Sequence, residues 1–326
     1  MRVLVTGGAG YIGSVTVAVL LDEGHEVVVL DDLRRGHRDA VPPDARYVEG
    51  SIADPDAILD ALGPGVDACI HFAAYADVGE SMRAPERYFQ NNTAGALVLL
   101  RTLLEQGLRR FILSSTAAVY GFPGRVPIVE EDATHPINPY GESKLLVERA
   151  LAWMWRERGL RYASLRYFNA AGAHGDLVER HDPETHLIPR VLDVAAGAAE
   201  AATIYGSDYP TPDGTCVRDF VHVLDLADAH VRALESLDEH GHVVCNLGTG
   251  TGYSVAQVID AARLVTGHPI PVEIGLPRDG DPPALVASHE RARELLGWVP
   301  RYSLEEIIGS AWQSYHLVRP EAWQLA

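Results

Sequence analysis

The sequence predicts an α/β fold, a doubly wound parallel sheet with a smaller, interleaved C-terminal region. Three observations carry this prediction. Short apolar runs rich in β-branched residues alternate with helical segments through the first half of the chain, which is typical of a parallel sheet with helices on both faces. The first of these runs breaks into a glycine-rich turn that opens a helix. After Asn169 the alternation becomes irregular, which indicates a second region.

The first element is the stretch MRVLVTGGAGYIG at residues 1–13. Residues 2–5 form a predicted buried strand, and apolar residues after the turn recur at three- and four-residue spacing, which predicts a helix. The turn carries Gly7, Gly10 and Gly13. Glycines serve many tight turns for geometry alone, but between a strand and a helix they predict a Rossmann-type site for a dinucleotide pyrophosphate.

A second predicted strand, residues 26–30, ends in Asp31. Asp31 lies close to the position, about 20 residues after the glycine motif, where an acid binds the cofactor ribose. A carboxylate there accepts hydrogen bonds from ribose hydroxyls and repels a 2′-phosphate, so NAD is favoured. Two alternatives stay open: Asp31 caps a turn beside Asp32, and the nearby Arg34 and Arg35 accommodate NADP.

Later elements continue the sheet, with predicted strands at 46–49, 68–72 and 110–113, a long helix at 85–105 and a returning strand at 243–247. Loops at 71–81 and 114–121 follow the fourth and fifth strands, at the sheet edge where ligands bind in open α/β folds. The alternatives are a plain connecting loop and ordinary turn chemistry.

Bulk composition excludes several classes of partner. The 326 residues are 47% apolar and carry a net charge of −18, which argues against nucleic acid and anionic membranes because both bind clustered cations. No apolar run is long enough to span a bilayer, and a strand starting at residue 2 leaves no room for a signal peptide. Three separated cysteines suggest reduced thiols in the cytoplasm. His186, His222 and the other histidines show no metal-ligand spacing, so no metal is expected.

The chemical centre is predicted at the start of a helix. Asn138 and Pro139 are typical of a cap and a first helical position, and Tyr140 and Lys144 then share one face of the first turn. A lysine cation beside a phenol lowers the phenol pKa from about 10, which suits a base at neutral pH. Such pairs are common on surfaces, but here a strand-borne hydroxyl and a dinucleotide turn accompany the pair.

Along nearly its whole length the chain resembles the UDP-glucose 4-epimerases (UDP-galactose 4-epimerases) of the extended short-chain dehydrogenase/reductase family. The motifs that carry this resemblance are GGAGYIG (7–13), HFAA (71–74), VGES (78–81), NN (91–92), SSTAAVYG (114–121), NPYGESK (138–144), RYFNAAGAH (166–174), ETHLIP (184–189), GSDYPTPDGTCVRDFVHV (206–223) and NLGTG (246–250).

The resemblance implies NAD-dependent inversion at C4 of UDP-glucose and UDP-galactose. Tyr140 would be the acid/base, Lys144 its electrostatic partner on the nicotinamide ribose, and Thr116 the partner of the sugar 4-hydroxyl. The cofactor-binding residues would be Gly7, Gly10, Tyr11, Ile12, Gly13, Asp31, Asp32, Arg35, Gly36, Ser51, Ile52, Phe72, Ala73, Ala74, Asn92, Tyr140, Lys144 and Phe168. The substrate-binding residues would be Thr116, Tyr140, Asn169, Leu187, Tyr205, Arg218, Arg278, Asp281 and Leu285. From composition alone, Arg218 either contacts phosphate or pairs with a surface acid.

The resemblance also implies a division of the chain. Residues 1–168, with about 220–250 returning, would form the NAD-binding Rossmann domain, and residues 169–219 and 251–326 the UDP-sugar-binding domain. A cytoplasmic homodimer would pair the helices near 85–105 and 139–158.

Some positions depart from the family pattern and leave alternatives open. Ser51 stands where many relatives carry Asp, and Ala76 where some carry Lys, so the family's usual side chains for an adenine contact and a phosphate contact are absent at these two positions. Leu285 is smaller than the tyrosine that excludes N-acetylated sugars, which leaves a UDP-N-acetylhexosamine or broader UDP-sugar epimerase open. A nucleotide-sugar dehydratase or decarboxylase ranks lower because Ala117 and Ala118 supply no acid, and a non-catalytic dinucleotide-binding protein ranks lower because Tyr140, Lys144 and Thr116 are all present.

Overall fold

The computed structural model describes residues 1–278 and 281–318; residues 279, 280 and 319–326, which the predicted substrate region includes, lie outside them. The strands are β1 (Arg2–Thr6), β2 (Glu26–Asp31), β3 (Arg46–Glu49), β4 (Ala68–His71), β5 (Arg110–Thr116), β6 (Arg161–Tyr167), β7 (Asn169–Ala171), β8 (Ala202–Tyr205), β9 (Val217–Arg218), β10 (Phe220–His222), β11 (His242–Leu247), β12 (Tyr253–Ser254), β13 (Val272–Gly275) and β14 (Ala284–Leu285).

The helices alternate with these strands in the first half and cluster near the end. They are α1 (Tyr11–Asp22), α2 (Pro55–Leu62), α3 (Val78–Arg83), α4 (Pro85–Tyr88), α5 (Ala96–Glu105), α6 (Pro139–Arg158), α7 (Leu187–Ala195), α8 (Val223–His240), α9 (Val255–Thr266), α10 (Glu290–Leu296), α11 (Leu304–Gln313) and α12 (Tyr315–Val318).

A seven-stranded sheet of order β11-β6-β5-β4-β1-β2-β3 forms the centre of the fold. Every neighbouring pair in it is parallel, and its strands are linked through helices, so the predicted doubly wound α/β class is confirmed. The edge strand β11 comes from the second half of the chain, so the chain returns to the central sheet after it has formed part of the second region. The carboxyl ends of β1, β4 and β5 therefore meet at one edge, where the ligand site of such folds lies.

Both faces of the sheet are covered, as the continuous apolar character of β1 requires. Val3 and Val5 belong to a buried cluster with residues of α1 and α8, whereas Leu4 belongs to a second cluster with residues of α2, α5 and α6. Neighbouring residues of one strand thus contribute to opposite cores.

The second region packs around its own core between α7, α9 and α11. Three small sheets accompany it: β7 with β10, β9 between β12 and β14, and β8 with β13. These short strands replace the regular alternation of the first half, as the irregular sequence pattern after Asn169 indicates.

The predicted continuous helix at 85–105 is wrong in its middle. The structure has α4, then a π-helical stretch at Phe89–Gly95, then α5. Asn92 explains the break, because its side chain bonds both backbone groups of Tyr75 at 2.9 Å and the Ser143 hydroxyl at 3.1 Å. Insertions of this kind recur at functional sites, and this one fixes the loop after β4 against α6.

Among the described residues, none of the helices combines the length and the apolar character needed to cross a bilayer.

Candidate functional site

The glycine turn after β1 is held too tightly for side chains. Gly7 has φ of +75°, and a Cβ on it would lie 2.4 Å from the backbone nitrogen of Ala73; a Cβ on Gly13 would lie 2.2 Å from the Gly7 carbonyl oxygen. The turn therefore requires glycine at both positions. It leads directly into the N-terminus of α1, whose free N–H groups suit a diphosphate, so the residues present fit a bound dinucleotide.

Asp31 at the end of β2 is buried and already engaged in the turn region. Its carboxylate accepts from the Ala9 N–H at 3.0 Å and the Leu33 N–H at 2.9 Å. Burial raises the pKa of Asp31, while these backbone hydrogen bonds act against the rise. Asp31 lines the cleft described next, so the turn-capping role and the ribose role stay compatible.

One cavity of about 980 Å³ runs from the glycine turn across the sheet edge to β14. It brings together every predicted site residue except Ser51 and Asn92. The cofactor residues that line it are Gly7, Gly10, Tyr11, Ile12, Gly13, Asp31, Asp32, Arg35, Gly36, Ile52, Phe72, Ala73, Ala74 and Phe168; the remaining lining residues of the prediction are Thr116, Tyr140, Lys144, Asn169, Leu187, Tyr205, Arg218, Arg278, Asp281 and Leu285.

The two exceptions have local roles in the structure. The Ser51 hydroxyl accepts from the Ala53 N–H at 3.2 Å within a turn, and Asn92 fastens the loop after β4 to α6, as described above. Ala76 lines the cavity but brings no charge to it.

Tyr140 and Lys144 lie in the first turns of α6, at the carboxyl end of β5. The predicted helix start is confirmed, since the Asn138 side chain accepts from the Gly141 N–H at 2.8 Å with Pro139 at the first position. Lys144 Nζ donates to the Ser114 carbonyl oxygen at 2.8 Å, and burial lowers the pKa of Lys144 to about 8, against the opposing charge of Glu148.

The predicted lowering of the Tyr140 pKa by Lys144 is wrong for the protein chain on its own. Burial raises the pKa of Tyr140, and only an interaction with the Thr116 hydroxyl acts in the opposite direction. The reason is geometric: the Lys144 ammonium donates to the Ser114 carbonyl, and burial penalises both charged forms. The sequence spacing establishes a shared helix face but not the degree of burial.

A buried charged network, which the sequence analysis missed, lies next to Thr116 and Lys144. Glu148 pairs with Arg166 at 2.5 Å, with side chains 7% and 8% exposed, and accepts from the Ser115 hydroxyl at 2.5 Å. Arg166 also donates to the Tyr120 hydroxyl at 2.9 Å. A signal was present, because Glu148 follows Lys144 by one helical turn and lies among the apolar residues Leu145, Val147 and Leu151.

The far end of the cavity carries the predicted nucleotide-sugar residues. Arg218 on β9 pairs with Asp281, and the Arg278 guanidinium lies 4.0 Å from the centre of the Tyr205 ring. The structure is compatible with both alternatives for Arg218. The side chain pairs with an acid, Asp281, and both residues line the cleft, where a guanidinium can bind a phosphate through two hydrogen bonds.

A second missed group lies beside the glycine turn. Glu179, His181, Glu184 and His186 place their ligand atoms within 4.8 Å of one another, which differs from the sequence-based expectation of no metal ligands. Burial opposes a charged His186, but its bonds to Glu179 and Glu184 outweigh burial and raise the pKa of His186 to about 10. The repeated Glu-x-His spacing was the available signal.

His222, by contrast, is structural: it bonds Ser310 at 3.0 Å and stacks on Tyr302.

Comparison with known proteins agrees with this geometry. The sequence profile of the NAD dependent epimerase/dehydratase family matches residues 3–248. The chain belongs to this family, whose members depend on NAD as cofactor.

Individual relatives cover almost the entire length. The UDP-glucose 4-epimerase of Halalkalibacterium halodurans is 49% identical over 99% of this chain and 98% of its own, and that of Streptococcus mutans is 50% identical over 99% of each. A crystal structure of UDP-glucose 4-epimerase from Brucella ovis in complex with NAD superimposes with a TM-score of 0.93 at 46% identity, covering 97% of this chain and 98% of that one. The resemblance to UDP-glucose 4-epimerases is confirmed.

Proposed function

We propose that this chain is an NAD-dependent enzyme that interconverts UDP-glucose and UDP-galactose by inversion at C4. The observation that carries the proposal is one cleft that joins the glycine turn, the Tyr140–Lys144–Thr116 group and the Arg218 region. The sequence of the chain is also 49% and 50% identical to two UDP-glucose 4-epimerases.

Three residues would handle the proton and the sugar at C4. Tyr140 accepts the proton of the 4-hydroxyl as the base and later returns it as the acid. Thr116, at the end of β5, orients that hydroxyl. Lys144, whose ammonium donates to the Ser114 carbonyl oxygen in the chain on its own, would hold the cofactor ribose. Bound NAD supplies the hydride acceptor and donor for C4. Since the 4-keto sugar receives hydride on its other face after rotating, no net oxidation results.

The remaining assignments of the resemblance belong to the same proposal. Residues 1–168, with about 220–250 returning, would hold NAD, and 169–219 and 251–326 the UDP-sugar. Asn169, Leu187, Arg218, Arg278 and Asp281 would hold the UDP portion, with Tyr205 beside the uracil. The enzyme would act in galactose metabolism in the cytoplasm, which agrees with Cys69, Cys216 and Cys245 all being buried free thiols.

The cofactor provides the first experiment. Purified protein should retain NAD, because the catalytic cycle returns the cofactor to its starting state, and adding a UDP-sugar should produce transient absorbance of the reduced nicotinamide. Protein that is recovered without NAD and requires NADP for turnover would contradict the assignment of Asp31.

We also propose a homodimer through α5 and α6. Leu97 on α5 is 39% exposed and Trp153 on α6 is 62% exposed, and large exposed apolar side chains on neighbouring helices favour an interface. Leu97→Arg should convert the dimer to monomer in light scattering at micromolar concentration. Leu264→Arg, at a 78% exposed position of α9, is the matched control and should leave the dimer intact. Wild type that is monomeric throughout this range would contradict the interface.

A second candidate substrate follows from Leu285. Its side chain lines the cleft and packs on an apolar cluster formed by Val119, Tyr120, Ile128 and Leu145. An N-acetyl group entering beside this wall would bury its amide without a partner, which costs on the order of 1–3 kcal/mol. UDP-N-acetylhexosamines should therefore be weak substrates.

The width of the pocket at this point is tested by Leu285→Tyr. The larger ring should abolish turnover of the N-acetylated pair and leave turnover of UDP-glucose and UDP-galactose largely intact, as judged from kcat/KM for both pairs. If the wild type turns over the N-acetylated sugars faster than the plain hexoses, Leu285 does not limit the pocket.

A further inference from the structure

We propose that Glu179, His181, Glu184 and His186 form a binding site for a divalent transition metal, with Zn²⁺ as the ion of best fit. The four residues come from the loop between β7 and α7, where the sequence repeats Glu-x-His twice. The loop brings the two Glu-x-His segments together, so that the ligand atoms of all four residues lie within 4.8 Å of one another. This site is separate from the proposed chemistry at C4.

The distances between the donor atoms suit one ion. His181 Nδ1 lies 3.1 Å from Glu179 Oε1, and His186 Nδ1 lies 2.9 Å from the same oxygen and 2.8 Å from Glu184 Oε1. Zinc binds imidazole nitrogen and carboxylate oxygen at about 2.0–2.2 Å, which places tetrahedral donors about 3.3 Å apart. All four donor atoms lie within 4.8 Å of one another, so side-chain rotations that open the three bonded pairs and bring the other donors closer would centre an ion among them.

The ligand types favour zinc over magnesium or calcium. Two imidazoles and two carboxylates form a mixed nitrogen and oxygen set, which suits Zn²⁺ and its neighbours among the transition metals, whereas Mg²⁺ and Ca²⁺ prefer oxygen alone. All four ligands also lie on one short loop, so an ion could bind without any movement of the central sheet.

Burial and charge also bear on a cation. The side chains of Glu179 and Glu184 are only 9% and 7% exposed, and each carboxylate is bonded to an imidazole ring of the cluster. A metal ion would displace the protons that the rings share with these carboxylates. The neighbouring guanidinium groups are engaged elsewhere, since Arg180 pairs with Asp39 at 2.8 Å and Arg35 pairs with Glu80 at 3.1 Å. A divalent ion would balance both carboxylates at once.

The position of the cluster defines how an ion enters and what it would stabilise. Glu179, His181 and His186 line the main cleft together with Tyr11, and a smaller cavity of about 270 Å³ lies on the other side, lined by Glu179, His181 and Glu184. The two imidazoles are 39% and 49% exposed, so an ion reaches them from the cleft. The bound ion would fix the wall between the two cavities, next to the first turn of α1.

The test uses untagged full-length protein that has been treated with a chelator and then dialysed against ZnCl₂. Metal analysis by mass spectrometry should give one Zn²⁺ per chain, and the melting temperature should rise with the ion. Replacement by Co²⁺ should give the visible absorption bands of a tetrahedral cobalt centre, which is a readout independent of turnover.

Two variants and one control separate this site from adventitious binding. His181→Ala removes an imidazole, and Glu184→Gln keeps the size of the side chain while removing its charge; each should lower the zinc affinity at least tenfold and abolish the cobalt bands. His135→Ala, at an exposed histidine outside the cluster, should keep both. Zinc binding that is absent in the wild type, or that persists unchanged in Glu184→Gln, would overturn the proposal.

Discussion

Tyr140→Phe should lower kcat by about 10²–10⁴, the range expected when a general acid–base group is removed. The substitution keeps the ring, so the packing of this half-buried side chain at the start of α6 is retained. It removes the hydroxyl that would exchange a proton with the sugar, so kcat should fall while KM changes little. Steady-state rates with UDP-galactose measure the effect.

Tyr302→Phe is the matched control for this experiment. Tyr302 stacks on His222, with ring centres 4.1 Å apart, and this ring packing survives the loss of a hydroxyl. Turnover in that variant should equal the wild-type value. Wild-type kcat in Tyr140→Phe would remove Tyr140 from the proton transfer and with it the proposed role of Lys144.

Glu148→Ala should destabilise the protein by about 3–5 kcal/mol, because it leaves a buried charge without its partner. Arg166 keeps only the Tyr120 hydroxyl once Glu148 is removed. The Ser115 hydroxyl, next to Thr116, also loses its acceptor. Denaturant unfolding of the purified protein measures the loss, and Glu148→Gln, which retains shape and an acceptor oxygen, should cost less than Glu148→Ala.

A surface ion pair provides the comparison for this effect. Arg46 and Asp60 lie 2.7 Å apart with side chains 48% and 64% exposed, and exposed pairs contribute little to stability. Asp60→Ala should therefore unfold nearly as the wild type does. An equal loss in Asp60→Ala and Glu148→Ala would mean that burial does not set the value of the pair beneath α6.

The sequence was sufficient where local pattern determines structure. The glycines of the turn after β1 follow from its place between a strand and a helix, although the backbone that Gly7 approaches, at Ala73, lies in the distant loop after β4. The Asn138–Pro139 pair marks the start of α6 through capping alone. The family motifs then supplied site residues, most of which line one cleft.

The sequence was insufficient where distant contacts decide. The π-helical stretch at Phe89–Gly95 arises because Asn92 bonds Tyr75 and Ser143, and no local pattern reveals those partners. The pKa of Tyr140 depends on burial by several elements, which spacing within α6 does not report. Likewise, the cluster around Glu179 forms only when the loop before α7 folds back on itself.

The central claim is inversion at C4 of a UDP-hexose, and proton NMR of the reaction mixture tests it most directly. Purified protein with NAD is incubated with UDP-glucose and, in a second tube, with UDP-galactose, and the anomeric signals are followed to equilibrium. Inversion at C4 gives the same mixture of the two sugars from either starting point, with no net consumption of cofactor. Failure to convert either sugar, or accumulation of a product that has lost water or a carboxylate, would contradict it.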